Sequence, residues 1–125
     1  LHIFVKRVFC SRNQERIVSF RGKIKQGTAT RNGKKWMYWD AGMFGGVIEI
    51  TEGLRYEIIT DRSGNPTPWS VAGPTCDSVD VLVHDMMLPS DMQEGDFIYI
   101  PNAGAYTTAY ASNFNGFPLP DVKVI

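Results

Sequence analysis

Histidine and cysteine are scarce in this chain of 125 residues. His2 and His84 are the only histidines, too few and too far apart for a histidine metal cluster or a Ser-His-Asp triad. Two cysteines, Cys10 and Cys76, fall short of the dense framework that staples small secreted domains, and the sequence leaves open whether they pair. No apolar run approaches the roughly 18–20 residues of a membrane span, and no signal-peptide pattern is visible. Net charge is zero, so charge makes no global case for nucleic acid as a partner. Gly42, Gly45 and Gly46 form a glycine-rich patch that matches neither a P-loop nor a dinucleotide fingerprint, and we read it as a bulge or a close backbone approach. The expectation from these absences is a protein of the reducing cytoplasm with no metal, nucleic acid or membrane to bind.

What is present is a core for one domain, with 43% hydrophobic residues. The neutral total hides a split. Residues 1–27 carry seven Lys/Arg and one acid, Glu15, whereas residues 28–125 carry six Lys/Arg and twelve Asp/Glu. An acidic body suits a cationic small molecule, although most such carboxylates are solvated surface. From residue 36 onward the chain reads as short runs rich in aromatic and β-branched residues, separated by turn residues. The runs are Trp36–Asp40, Val47–Thr51, Leu54–Thr60, Ser70–Ala72, Val79–His84, Asp96–Pro101, Tyr106–Ala111 and Val122–Ile125. Arg31-Asn32-Gly33, Asp61–Pro66, Glu94-Gly95-Asp96 and Phe117–Pro120 supply the turns. The pattern predicts an all-β barrel or sandwich.

Residues 1–27 read differently, as a separate N-terminal strand/helix element. Leu1, Ile3 and Val5 alternate as in a strand. Ser11 with Gln14 fits a capping box, and Ile17, Phe20 and Ile24 follow at helical spacing, with Gly22 weakening the helix.

Three later segments carry chemistry. Gly73-Pro74-Thr75-Cys76-Asp77-Ser78-Val79-Asp80 sets a thiol and carboxylates in a turn before a strand, where a core cysteine and a capping Asp are the ordinary reading. Asn102-Ala103-Gly104-Ala105-Tyr106-Thr107-Thr108 combines small residues with a phenol and hydroxyls, suiting either a hairpin or a phosphate cradle. In Phe114-Asn115-Gly116-Phe117, two aromatics flank a tight-turn dipeptide, as core or as the wall of a pocket.

Taken in order, with Gly95-Asp96-Phe97 between them, these motifs resemble the C-terminal domain of the ornithine and diaminopimelate decarboxylase family. The resemblance covers residues 28–125, and Trp36–Gly46 matches the strand and glycine turn that precede the motifs. It implies a two-domain enzyme in which an α/β barrel carries pyridoxal 5′-phosphate and a β-domain caps it. It also implies a homodimer with active sites at the subunit boundary. By the same resemblance Cys76 directs the proton after carbon dioxide leaves, Asp77 holds the distal ammonium of the substrate, Tyr106 binds the cofactor phosphate, and Phe114 lines the pocket. The family commonly has an acid just after the strand equivalent to Val47–Thr51. Aligned without gaps that position is Gly53, and a shift of one residue gives the role to Glu52.

The implied reaction is decarboxylation of a small basic amino acid, ornithine or lysine, to a diamine. Diaminopimelate or arginine decarboxylation, a catalytically inactive decarboxylase-like regulator, and a β-barrel binding module are the alternatives. A barrel needs roughly 200 residues or more, so the sequence is expected to be a fragment or a joined domain, inactive by itself.

Overall fold

The computed structural model describes residues 4–10, 16–103 and 106–123. It is dominated by strands: β1 (Phe4–Cys10), β2 (Arg16–Arg31), β3 (Lys34–Trp39), β4 (Pro66–Ala72), β5 (Val81–Pro89), β6 (Phe97–Ile100) and β7 (Asp121–Lys123). They form one seven-stranded sheet in the order β5-β4-β3-β2-β1-β7, with β6 paired to β2.

The backbone of the sheet is β2, whose sixteen residues serve several partners. Arg16–Arg21 pair with β1, Phe20–Lys23 with β6, and Ile24–Arg31 with β3, all antiparallel. A bulge between Ile24 and Thr28 falls where Gly27 takes a φ of +81°, a conformation that favours glycine. Asn32 and Gly33 close the β2–β3 hairpin with φ of +51° and +75°, as a two-residue turn of the hand that matches strand twist requires. The structure therefore places a strand where the spacing of Ile17, Phe20 and Ile24 predicts a helix. A periodicity of three positions carries little weight once neighbouring strands offer hydrogen bonds along β2, and Gly22 removes a side chain where Ile98 comes close. Leu1, Ile3 and the Ser11–Gln14 capping box lie outside the described residues.

In β3, Met37 and Trp39 are fully buried while Trp36 and Tyr38 face the other side, half-buried, the two-residue alternation of a strand with one face in the core. Ile24, Trp69, Val71, Leu82, Leu88, Ile98 and Ile100 complete that core from the other strands. The indole N–H groups are satisfied, Trp39 Nε1 on Met37 Sδ at 3.2 Å and Trp69 Nε1 on the Pro89 carbonyl at 3.1 Å, as buried tryptophans require. At the end of β3, Asp40 is buried and its Oδ1 accepts the Lys23 amide at 2.7 Å. Burial pushes the Asp40 carboxyl above its ordinary value, against the hydrogen bond from Lys23 and the charge of Lys25.

Three other predicted strands are corrected. Val47–Thr51 holds a 3₁₀ turn, Ile48–Ile50. That geometry brings Val47 and Ile50, three residues apart, onto one buried face. Leu54–Thr60 forms no named strand and contributes a single bridge, Ile59 with Tyr99. Tyr106–Ala109 is a helical turn, α1, in which the Tyr110 amide donates to the Tyr106 carbonyl at 3.0 Å and the two phenol rings meet at 5.6 Å. Spacing of four residues brings side chains together on a helix, and tertiary packing overrides β propensity here. The remaining predicted strands overlap β3 to β7, and residues 124–125 lie outside the description. No described helix is long and apolar enough to cross a membrane.

Candidate functional site

The segment between β4 and β5 places Cys76 and Asp77 side by side. Cys76 is exposed and takes a φ of +60°, an uncommon conformation for a residue with a side chain. Asp77 precedes the 3₁₀ turn Ser78–Asp80, and its Oδ1 accepts the Val79 amide at 3.0 Å. The capping role expected of an Asp after a turn is therefore present, and it occupies one of the two carboxylate oxygens.

The Phe114–Gly116 turn is tied directly to this segment: Asn115 Nδ2 donates to the Thr75 carbonyl at 3.0 Å. Phe114, 36% exposed, stacks on Phe44 with ring centroids 4.1 Å apart. Phe44 belongs to the glycine turn after β3, and its carbonyl accepts the Ser112 amide at 2.8 Å. The same turn meets α1, because a Cβ on Gly46, whose φ is +104°, would lie 1.9 Å from the Thr107 carbonyl oxygen. The glycine patch is thus a close backbone approach. Through it the Cys76-Asp77 segment, Phe114 and the α1 segment bearing Tyr106 are joined as neighbours. Tyr106 itself is 57% exposed. Of the expected phosphate cradle, residues 104–105 lie outside the description and the Thr107 side chain is buried.

Glu52 is exposed at the end of the 3₁₀ stretch that follows the same turn. No described side-chain contact joins it to the others. The carboxylate engaged there belongs to Glu49, whose Oε2 accepts the Tyr56 phenol, while the Ala103 carbonyl stands 3.3 Å from the same phenol oxygen. Burial, then the hydrogen bond and charge of Glu49, push the Tyr56 phenol well above its ordinary range.

Two clefts border these elements. Cys76 and Asp77 edge one of about 320 Å³, walled by Trp36 and Tyr38 and flanked by Arg31. A larger one of about 400 Å³, between Tyr56, Asp85 and Met86, contains none of the five residues singled out by sequence. Among the described residues no group of three or more His, Cys, Asp or Glu is placed to hold a metal ion.

Sequence reasoning passed over Asp80, the last residue of the Gly-Pro motif, and the Glu49–Tyr56 pair. The two glycines that surround Asp80 are brought to it only by the fold. A Cβ on Gly42 or Gly73 would come within 2.1 or 2.3 Å of its carboxylate oxygens.

Comparison with known proteins agrees with this fold. The family described as "Pyridoxal-dependent decarboxylase, C-terminal sheet domain" matches residues 3–104. A lysine/ornithine decarboxylase of Selenomonas ruminantium is 36% identical over 94 residues, which cover 74% of this chain and 24% of that protein. The structure of a Vibrio vulnificus lysine/ornithine decarboxylase complexed with cadaverine superposes with a TM-score of 0.77 at 34% identity, over 86% of this chain and 30% of that one. A structure of SrLDC in complex with PLP and cadaverine gives 0.78 at 32%, again over 86% of this chain, and 28% of its own. The chain spans less than a third of the length of each of these three relatives.

Proposed function

This chain belongs to the pyridoxal-dependent decarboxylases, as their C-terminal sheet domain, and from that membership we propose that it supplies one side of an active site that decarboxylates ornithine or lysine to the diamine. The observation that carries the reading is the exposed Cys76 beside the half-buried Asp77, braced against the Phe114-Asn115 turn through Thr75. Relatives named for ornithine and lysine, and related structures holding cadaverine or putrescine, point to a dibasic substrate.

The described residues fit a cofactor presented from outside this sheet, since the Cys76 thiol, the Tyr106 ring and the Phe114 ring all retain solvent exposure. When bound, pyridoxal phosphate supplies an electron sink for the charge left by departing carbon dioxide. This chain's own groups do the rest. The Tyr106 phenol donates a hydrogen bond to the phosphate. Asp77 and Glu52 offer carboxylates to the distal ammonium of the substrate, a charge-assisted contact that selects for chain length. The ring of Phe114 excludes water from the pocket wall. Cys76 Sγ–H delivers a proton to the substrate carbon that lost its carboxyl group.

In this reading two copies of the full-length protein form a homodimer, and the sheet domain of one faces the cofactor-bearing barrel of the other in the cytoplasm. The test is Cys76→Ala in the full-length enzyme. Without its donor the substrate carbon would be protonated slowly, and turnovers that miss it would consume water to release an aminoaldehyde, with the cofactor recovered as pyridoxamine phosphate. The expected result is slower turnover with progressive inactivation as pyridoxamine phosphate accumulates. Co-expression with a variant lacking the cofactor lysine should restore about one competent site per mixed dimer. Clean, unslowed diamine production would make Cys76 an ordinary turn residue, and mixed dimers that fail to recover would place its thiol in its own subunit's site.

A further inference from the structure

Asp80 is 1% exposed and stands just before β5, at the close of the turn that carries Cys76 and Asp77. Its Oδ1 accepts the Met43 amide at 2.7 Å, and its Oδ2 accepts both the Thr75 amide at 3.1 Å and the Thr75 hydroxyl at 2.7 Å. The main chain adds two further ties: the Gly73 amide donates to the Asp80 carbonyl at 2.8 Å, and the Asp80 amide donates to the Asp77 carbonyl at 3.0 Å. Gly42 and Gly73 make the room that the carboxylate occupies, as a Cβ on either would overlap it.

A buried carboxylate is tolerated when its lone pairs are filled by well-aligned donors, and these donors come from two separate segments. One is the turn bearing Phe44, the residue on which Phe114 stacks. The other is Thr75, immediately before Cys76, whose left-handed backbone persists only where its surroundings impose it. The Thr75 carbonyl in turn receives Asn115. Three loops, two of which follow the parallel-paired ends of β3 and β4, therefore meet on a single side chain and its nearest partner.

We propose that Asp80 is a positioning residue: by clamping Thr75 and Met43 it sets the direction of the Cys76 and Asp77 side chains against the Phe44–Phe114 wall. The inference rests on the reading of Cys76 and Asp77 as site residues. It assigns Asp80 no contact with substrate.

Asparagine at this position keeps size and one acceptor oxygen but turns an N–H₂ group toward a donor, so the clamp is lost on one arm. In the full-length enzyme, Asp80→Asn should retain its cofactor and lower kcat about tenfold or more, because sub-ångström misplacement of reacting groups is expensive. KM should rise as well, since Asp77 moves with Cys76, and the fraction of turnovers ending in pyridoxamine phosphate should increase. In the apo-dimer, the rate at which iodoacetamide alkylates Cys76, followed by peptide mass spectrometry, should change several-fold. Thr75→Val, which removes only the hydroxyl arm, should move each readout the same way by less, and stands in if Asp80→Asn does not fold.

Cys76→Ala is run alongside. If its diamine is clean, the site reading fails, while the alkylation rates still judge the clamp. If Cys76→Ala shows the loss of fidelity but Asp80→Asn and Thr75→Val keep wild-type alkylation and product partition, the positioning role is overturned. A fall in activity that only tracks the unfolded fraction at the assay temperature overturns it too.

Discussion

Asp77 uses one carboxylate oxygen to cap the Ser78–Asp80 turn and keeps the other. Capping and ammonium recognition therefore separate by chemistry, because asparagine reproduces the capping oxygen and lacks the charge. We expect Asp77→Asn to leave the thermal midpoint of the full-length enzyme unchanged and to raise KM for ornithine and lysine more than it alters cofactor content. The loss should be about 1.5–3 kcal/mol, the range for a hydrogen bond to a charged group, measured as the change in kcat/KM. Asp77→Ala should add destabilisation of about 1 kcal/mol from the lost cap. A KM that barely moves in Asp77→Asn would reduce the residue to its cap. Glu52 is the second acid in this reading, and Glu52→Gln separates its share.

Among the elements, the turn that joins β3 to the Ile48–Ile50 stretch organises the site. It begins next to Asp40, which fastens the end of β3 to β2 through the Lys23 amide, and it contacts Asp80 through Met43. It then reaches Phe114 through Phe44 and α1 through Gly46. A methyl group on Gly46 meets the Thr107 carbonyl, and the φ of +104° disfavours any side chain even if α1 retreats. Gly46→Ala should therefore destabilise by about 1–3 kcal/mol, the usual range for overpacking, read as a lowered midpoint in thermal unfolding. In folded protein it should also weaken retention of pyridoxal phosphate, because α1 carries Tyr106. An alanine variant with wild-type midpoint and cofactor content would show that α1 is free to shift. Gly33→Ala is the contrast, since nothing lies within 4 Å of its would-be Cβ, so any effect there comes from backbone strain alone.

At the scale of the whole molecule, the proposed site residues lie on a surface instead of around a chamber. Cys76 and Glu52 are exposed, as are the Tyr106 and Phe114 rings, and the cleft beside Cys76 and Asp77 does not reach Tyr106 or Phe114. A reaction that must exclude water requires a second surface over them. Residues 1–125 expressed by themselves and mixed with pyridoxal phosphate should accordingly show no turnover of ornithine or lysine, and only the slow, unsaturable absorbance change of surface lysines. Decarboxylation by this segment alone, detected as diamine by chromatography, would refute the outward-facing site.

The aromatic run at Trp36–Asp40 was enough to locate most of β3, whose Met37 and Trp39 point inward, and Arg31-Asn32-Gly33 marked the turn before it. The order and spacing of the Gly-Pro, Gly-Ala-Tyr and Phe-Asn-Gly-Phe motifs identified the family, because those residues answer to local chemistry that a linear pattern records. Residues 16–31 were decided otherwise. Their helical spacing yielded to strand partners supplied by residues 4–10, 34–39 and 97–100. The Val47–Thr51 run became a 3₁₀ turn, since closing onto the core required Val47 and Ile50 on one side. The role of Asp80 was invisible in sequence for the same reason. Its partners at Met43 and Thr75 lie 37 and 5 residues away, and only the packing of the sheet brings their amides within hydrogen-bond reach of a carboxylate withdrawn from water.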